Sequence, residues 1–91
     1  MKQLSQLIKS INVVKVLGDV NRQVSEIVSD SRKAGNLSMF VAVRGVNIDS
    51  HQYIPQLKGK GLSAIVCEKL PDELDTDVTY VQVENSAIAL G

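Results

Sequence analysis

The sequence predicts a small α/β fold: a mixed sheet of about five strands with flanking helices, containing one β–α–β unit. Three observations carry this expectation. Met39-Phe40-Val41-Ala42-Val43 and Ala64-Ile65-Val66-Cys67 are continuous apolar runs, the pattern of strands buried on both faces. A segment with Pro55 near its start lies between them and reads as a helix, because proline lacks an N–H but fits a helix's first turn. A third β-branched run, Val78 to Val83, follows a turn-rich acidic stretch.

The remaining elements fall into order around these. Leu4, Leu7, Ile8 and Ile11 recur at i, i+3, i+4 and i+7, the stripe of a short amphipathic helix. Val13 to Leu17 is β-branched and short, and Gly18-Asp19 closes it as a turn. Val24, Ile27 and Val28 suggest a second strand running into Ser29-Asp30-Ser31. A loop follows from Lys33 to Ser38, with Asn36 expected to take the left-handed backbone of its turn. The helix after Met39–Val43 is expected to begin near Ile54, with Ile54 and Leu57 facing the core and Gly61 as its C-cap. Pro71 to Asp77 reads as a surface loop, and Glu84 to Leu90 as the first turns of a further helix. The strands on either side of the 54–60 helix are expected to be parallel with a right-handed crossover.

Composition narrows the function classes. A chain of 91 residues, 44% of them apolar, is one domain spanning 1–91 with room for a modest core. With one Phe, two Tyr and no Trp, that core must be aliphatic. Ten basic and ten acidic residues cancel, without a block of either sign. This argues against a nucleic-acid surface and a polybasic membrane patch, while leaving room for a small anionic ligand. No apolar run approaches the roughly 18 residues of a membrane span, and the first residues lack a signal peptide's apolar segment. The expected location is the cytoplasm.

Residues that invite chemistry mostly have plainer readings. Cys67 sits in an apolar strand run and reads as a buried, inert thiol. His51 has no second His or Cys at metal-ligand spacing and no serine–acid partner set, so a backbone hydrogen bond near the helix start is its expected role. Asp72, Glu73, Asp75 and Asp77 are irregularly spaced around a loop and read as solvated. Arg44 is read as solvent-facing or paired with an acid. Asp30 and Arg32 are expected to form a local pairing or turn hydrogen bond. No catalytic residue and no metal ligand is assigned.

Three short motifs say more together than separately: Ser29-Asp30-Ser31-Arg32, Met39-Phe40-Val41-Ala42-Val43-Arg44-Gly45 and Asp49-Ser50-His51-Gln52-Tyr53-Ile54-Pro55. In this order and spacing the chain resembles the N-terminal domain of the Mur ligases, the ATP-dependent amino-acid-adding enzymes of peptidoglycan synthesis. Tyr53-Ile54-Pro55-Gln56 and Val83-Glu84-Asn85-Ser86 make it most similar to the MurE type, the UDP-N-acetylmuramoyl-tripeptide synthetases. Two departures from the family pattern are Leu37-Ser38, where Gly-Asp is usual, and Ser50, where Gly is usual.

The resemblance implies a fold like that of MurE and MurF N-terminal domains, and a UDP-sugar site. By it, Ser31 contacts the diphosphate, Ser29 lies against the uridine, and Val46, Asn47 and Ile48 lie along the uracil and ribose. It implies a partner, UDP-MurNAc-L-Ala-D-Glu, and a parent enzyme that adds meso-diaminopimelate or L-lysine to it using ATP and magnesium. No Gly-x-x-x-x-Gly-Lys-[Ser/Thr] occurs in the chain, so no cofactor is expected here. The ATP site and acceptor site are expected in central and C-terminal domains, and the chain's end inside an apparent helix reads as an excised piece, inactive alone. Two alternatives stay open: a MurF-type parent, and a structural or docking module without a ligand. The loops at 29–32 and 46–51 discriminate the latter, since a UDP site needs both on one face.

Overall fold

A computed structural model describes residues 2–10, 13–42, 50–57, 59–71, 74 and 77–84. The strands are β1 (Lys2–Gln3), β2 (Val13–Leu17), β3 (Gln23–Val24), β4 (Ile27–Val28), β5 (Met39–Val41), β6 (Ala64–Cys67) and β7 (Thr79–Val83). Five of them form one mixed sheet in the order β2-β7-β6-β5-β4. Strands β4 to β7 are parallel, and β2 closes one edge antiparallel to β7. The expected β–α–β unit is present as β5, a helical segment and β6, with β5 and β6 adjacent and parallel.

The apolar runs are continuous because both faces of the sheet are covered. Successive side chains point to opposite faces, and the register lines them into rows. Val28, Phe40, Ile65, Tyr80 and Leu17 sit opposite one another across all five strands. The first four are buried, with Ile54, Leu57 and Leu62 packed into the same cluster. On the other face Val41, Val66 and Val81 are fully buried, covered by Leu4 and Val24. The domain therefore has two apolar layers, one on each side of a shared sheet, with Phe40 and Tyr80 in the first and aliphatic side chains throughout the second.

Several expected elements take a different form. The N-terminal helix is one α-turn, α1 (Leu4–Leu7), continued as 3-10 helix over Ile8–Ser10; Ile11 lies outside the described residues. Its first turn has no side-chain cap, and its free N–H groups are instead met by carbonyls of the facing segment: Leu4 donates to Arg22 (2.7 Å) and Ser5 to Val20 (3.0 Å). The strand expected through Val24 to Val28 is two strands serving different sheets. β3 pairs antiparallel with β1, and β4 pairs parallel with β5. Between them the chain steps across: Ser25 donates to Leu37 (2.8 Å), and Met39 donates to Glu26 (2.9 Å).

The crossover helix is a 3-10 helix, Ser50–Leu57, with Pro55 inside it rather than in its first turn. A 3-10 helix repeats every three residues, so His51, Ile54 and Leu57 share one side, and Ile54 and Leu57 are buried against the sheet. After it, Gly59 is left-handed (φ +85°), and the Lys60 N–H returns to the Leu57 carbonyl (3.2 Å). Gly61, expected as the C-cap, lies two residues further on and accepts from the Leu37 N–H (2.8 Å). The left-handed residue of the 33–38 loop is Leu37 (φ +62°), not Asn36. That bond, with the Leu37 carbonyl accepting from Ser25, fixes the Leu37 peptide on both sides and holds a conformation a non-glycine residue adopts at a cost of about 1–2 kcal/mol. Residues 85–91, where a terminal helix was expected, and Asp72, Glu73 and Asp75 of the acidic loop lie outside the described residues.

Candidate functional site

Four parallel strands present their carboxyl ends at one edge of the sheet, the edge where ligands bind in open α/β folds. Strand β4 ends at Val28 and leads into Ser29, Asp30 and the 3-10 turn Ser31–Lys33. Its neighbour β5 ends at Val41 and leads into segment 42–49. Because β4 and β5 are adjacent and parallel, both exits leave from the same edge. The turn Ser31–Lys33 lies beside the 3-10 helix Ser50–Leu57, so the exit of β4 and that helix are brought together. Val46, Asn47, Ile48 and Arg44 lie outside the described residues.

Asp30 builds the first of these exits. Its Oδ1 accepts from the Arg32 backbone N–H (2.9 Å), and its carbonyl accepts from the Lys33 N–H (3.0 Å), which closes the turn. The Arg32 guanidinium then grips the same carboxylate at two points, Nε to Oδ1 (3.2 Å) and Nη2 to Oδ2 (3.0 Å). These side-chain and backbone hydrogen bonds hold the Asp30 carboxyl below its ordinary pKa, and the same pairing raises that of Arg32. The local pairing expected of Asp30 and Arg32 is present. Ser29, just before it, is exposed, and Ser31 opens the turn.

His51 behaves as its sequence context suggested. Its Nε2 accepts from the Glu68 backbone N–H (2.9 Å), with the Lys69 N–H at 3.4 Å. An accepting Nε2 is unprotonated, which places the ring's proton on Nδ1 in the neutral form. The Glu68 carbonyl in turn accepts from Gln82 Nε2 (3.1 Å). Sequence reasoning missed Glu68 and Gln82 as partners, because nothing in their own neighbourhoods marks them. Cys67 is fully buried, and loss of solvent pushes its thiol up to about 11, so it is the inert thiol expected. Among the described residues no group of three His, Cys, Asp or Glu side chains could hold a metal ion, and no helix is long and apolar enough to cross a membrane.

The profile described as "Mur ligase family, catalytic domain" matches residues 23–91, three-quarters of the chain. The chain belongs to the Mur ligase family. Among relatives, the UDP-N-acetylmuramoyl-L-alanyl-D-glutamate--2,6-diaminopimelate ligase of Cytophaga hutchinsonii is 44% identical over 90 residues, covering 98% of this chain and 18% of that protein. The ligase of the same name from Bacteroides fragilis is 39% identical over 89 residues, with the same coverage. The fold matches MurF from Acinetobacter baumannii with a TM-score of 0.80 at 23% identity, over 97% of this chain and 19% of that one. The assignment to a Mur ligase N-terminal domain therefore holds, as does the five-stranded mixed sheet it implied. This Mur ligase chain spans about a fifth of the length of the relatives it matches.

Proposed function

We propose that this chain is the part of a Mur ligase that grips the nucleotide end of UDP-MurNAc-L-Ala-D-Glu. The observation that carries this reading is the shared exit edge: parallel strands β4 and β5 end at the same side of the sheet, and the Ser31–Lys33 turn that follows β4 lies beside the 3-10 helix Ser50–Leu57. A ligand site needs such a shared edge, which supports this reading over that of a structural module.

In this reading the Ser31 hydroxyl and the N–H groups of its turn donate to the diphosphate. The Arg32 charge is already engaged by Asp30, so neutral donors carry most of the recognition. Ser29 lies against the uridine. Asn47, which offers both a donor and an acceptor, reads the pyrimidine edge, with Val46 and Ile48 supplying apolar or backbone contact. Binding energy from this remote end holds the D-Glu carboxylate where the parent enzyme joins meso-diaminopimelate or L-lysine to it. ATP and magnesium act in the central and C-terminal domains of that cytoplasmic enzyme, and the 91-residue chain alone catalyses nothing.

The test is a titration of the isotope-labelled chain with UDP-MurNAc-L-Ala-D-Glu and with UDP, followed by amide NMR. Saturable shifts grouped at Ser29 to Arg32 and Val46 to His51 are expected from both ligands. A well-dispersed spectrum that stays unmoved at roughly millimolar ligand, the weak end of specific binding, overturns the proposal for this chain.

A further inference from the structure

We infer that His51 is a positioning residue, which sets the 3-10 helix Ser50–Leu57 against the exit of β6 and so fixes the wall beside the Ser31–Lys33 turn. This rests on the reading of that turn as the diphosphate site. The geometry is a clasp on one peptide unit. The Glu68 N–H donates to His51 Nε2 (2.9 Å), and the Glu68 carbonyl accepts from Gln82 Nε2 (3.1 Å). One end of the clasp is on the 3-10 helix, the middle just past β6, and the other end on β7.

The clasp matters because of what surrounds it. Ile54 and Leu57 fix one side of the helix to the sheet by apolar burial, which has no directional preference. A hydrogen bond has one, and His51 supplies it at the helix's first turn. That turn is the end of the helix nearest segment 42–49 along the chain, and the helix lies beside the Ser31–Lys33 turn. With the acceptor lost, the helix stays buried at Ile54 and Leu57, but its first turn loses its orientation relative to β6. Hydrogen bonds to Glu68 from the two neighbouring elements are the kind of network that specifies geometry beyond its individual energies.

The experiment compares His51→Leu, His51→Gln and Gln82→Leu with the unaltered chain. A through-bond 15N–15N coupling between Glu68 N and His51 Nε2 reports the clasp directly. Amide hydrogen exchange reports order, and titration with UDP reports the site. The expected result is a measurable coupling in the unaltered chain. In His51→Leu, exchange at Glu68, Tyr53 and Ile54 speeds by about tenfold or more while the β5–β7 amides hold, and the UDP dissociation constant rises about three- to thirtyfold. His51→Gln, whose Oε1 can take the same N–H, restores exchange and binding. Gln82→Leu shows a smaller loss of the same kind. Uniformly faster exchange across the sheet means His51 only stabilises the fold, and overturns the inference. So does unchanged UDP binding in His51→Leu, or failure of His51→Gln to rescue. If the unaltered chain gives the coupling and local exchange pattern but no UDP shifts, the diphosphate reading falls and the role assigned to the clasp falls with it. Absence of the coupling overturns the clasp alone.

Discussion

Asp30 shows how one side chain can set the geometry of a turn. Its carboxylate accepts a backbone N–H and both arms of Arg32, so the turn that opens with Ser31 is set by hydrogen bonds two residues apart. The sign of its pH dependence follows. A carboxyl whose folded pKa is lowered stabilises the fold above the unfolded carboxylate value, and that contribution disappears as pH falls through the folded one. Arg32 is 88% exposed, so solvent screening keeps the effect small. Asp30→Asn is expected to lower the melting temperature slightly near neutral pH, with the difference from the unaltered chain vanishing in acid. An NMR titration of the Asp30 carboxyl should find its midpoint below the usual carboxylate value; a midpoint at or above it contradicts the pairing. This much was legible in Asp-Ser-Arg, because an aspartate two residues before an arginine can bond locally wherever the chain turns.

At the scale of elements, sequence periodicity located nearly every segment but not its form. The proline places the helix start near Ile54, yet the 3-10 helix starts at Ser50 with Pro55 inside; three residues at spacing three, His51, Ile54 and Leu57, fit its three-residue repeat. Turns were the least legible, because left-handed backbone is selected by neighbours as well as by residue type. Two glycines separate these causes. Gly18 has φ +120°, and a Cβ there would stand 2.9 Å from Thr79 Oγ1 and 3.1 Å from Thr79 Cα. Thr79 is buried, and its hydroxyl donates to the Asp19 carbonyl (2.6 Å), so it cannot give way. Gly61 has φ +77°, and its Cβ would crowd the side-chain tip of exposed Asn36 at 2.8 Å, with the Asn36 Cα at an ordinary 3.7 Å. Urea denaturation is expected to show Gly18→Ala costing about 2–4 kcal/mol and Gly61→Ala about 1–2 kcal/mol. Equal costs would mean that backbone strain alone decides and the Thr79 contact does not matter.

For the whole molecule, the decisive feature is that one sheet carries both apolar layers. Phe40 lies in one layer and its neighbours Met39 and Val41 in the other, so neither layer can open without breaking strands that the other needs. Unfolding is therefore expected to be a single cooperative transition. Phe40 is the chain's one phenylalanine and is fully buried. Phe40→Ala should cost about 3–5 kcal/mol, a large share of the roughly 5–14 kcal/mol available to a domain of this size. Val14→Ala, at a side chain 58% exposed on the edge strand, should stay within about 0.5 kcal/mol. Calorimetry checks both, and two separated transitions would contradict the shared-sheet account.

The sequence by itself determined the strand runs, the β–α–β unit, the aliphatic core and the family, because continuous apolar stretches and short motifs are local patterns that survive without knowledge of the fold. The Asp30–Arg32 pairing was likewise within its reach. The tertiary structure alone decided that Val24 and Val28 serve different sheets, that Leu37 takes the left-handed turn, and that His51 meets Glu68 and Gln82. Each depends on hydrogen bonds between segments separated in sequence, and a backbone N–H or carbonyl leaves no trace in residue type to say which distant partner will satisfy it.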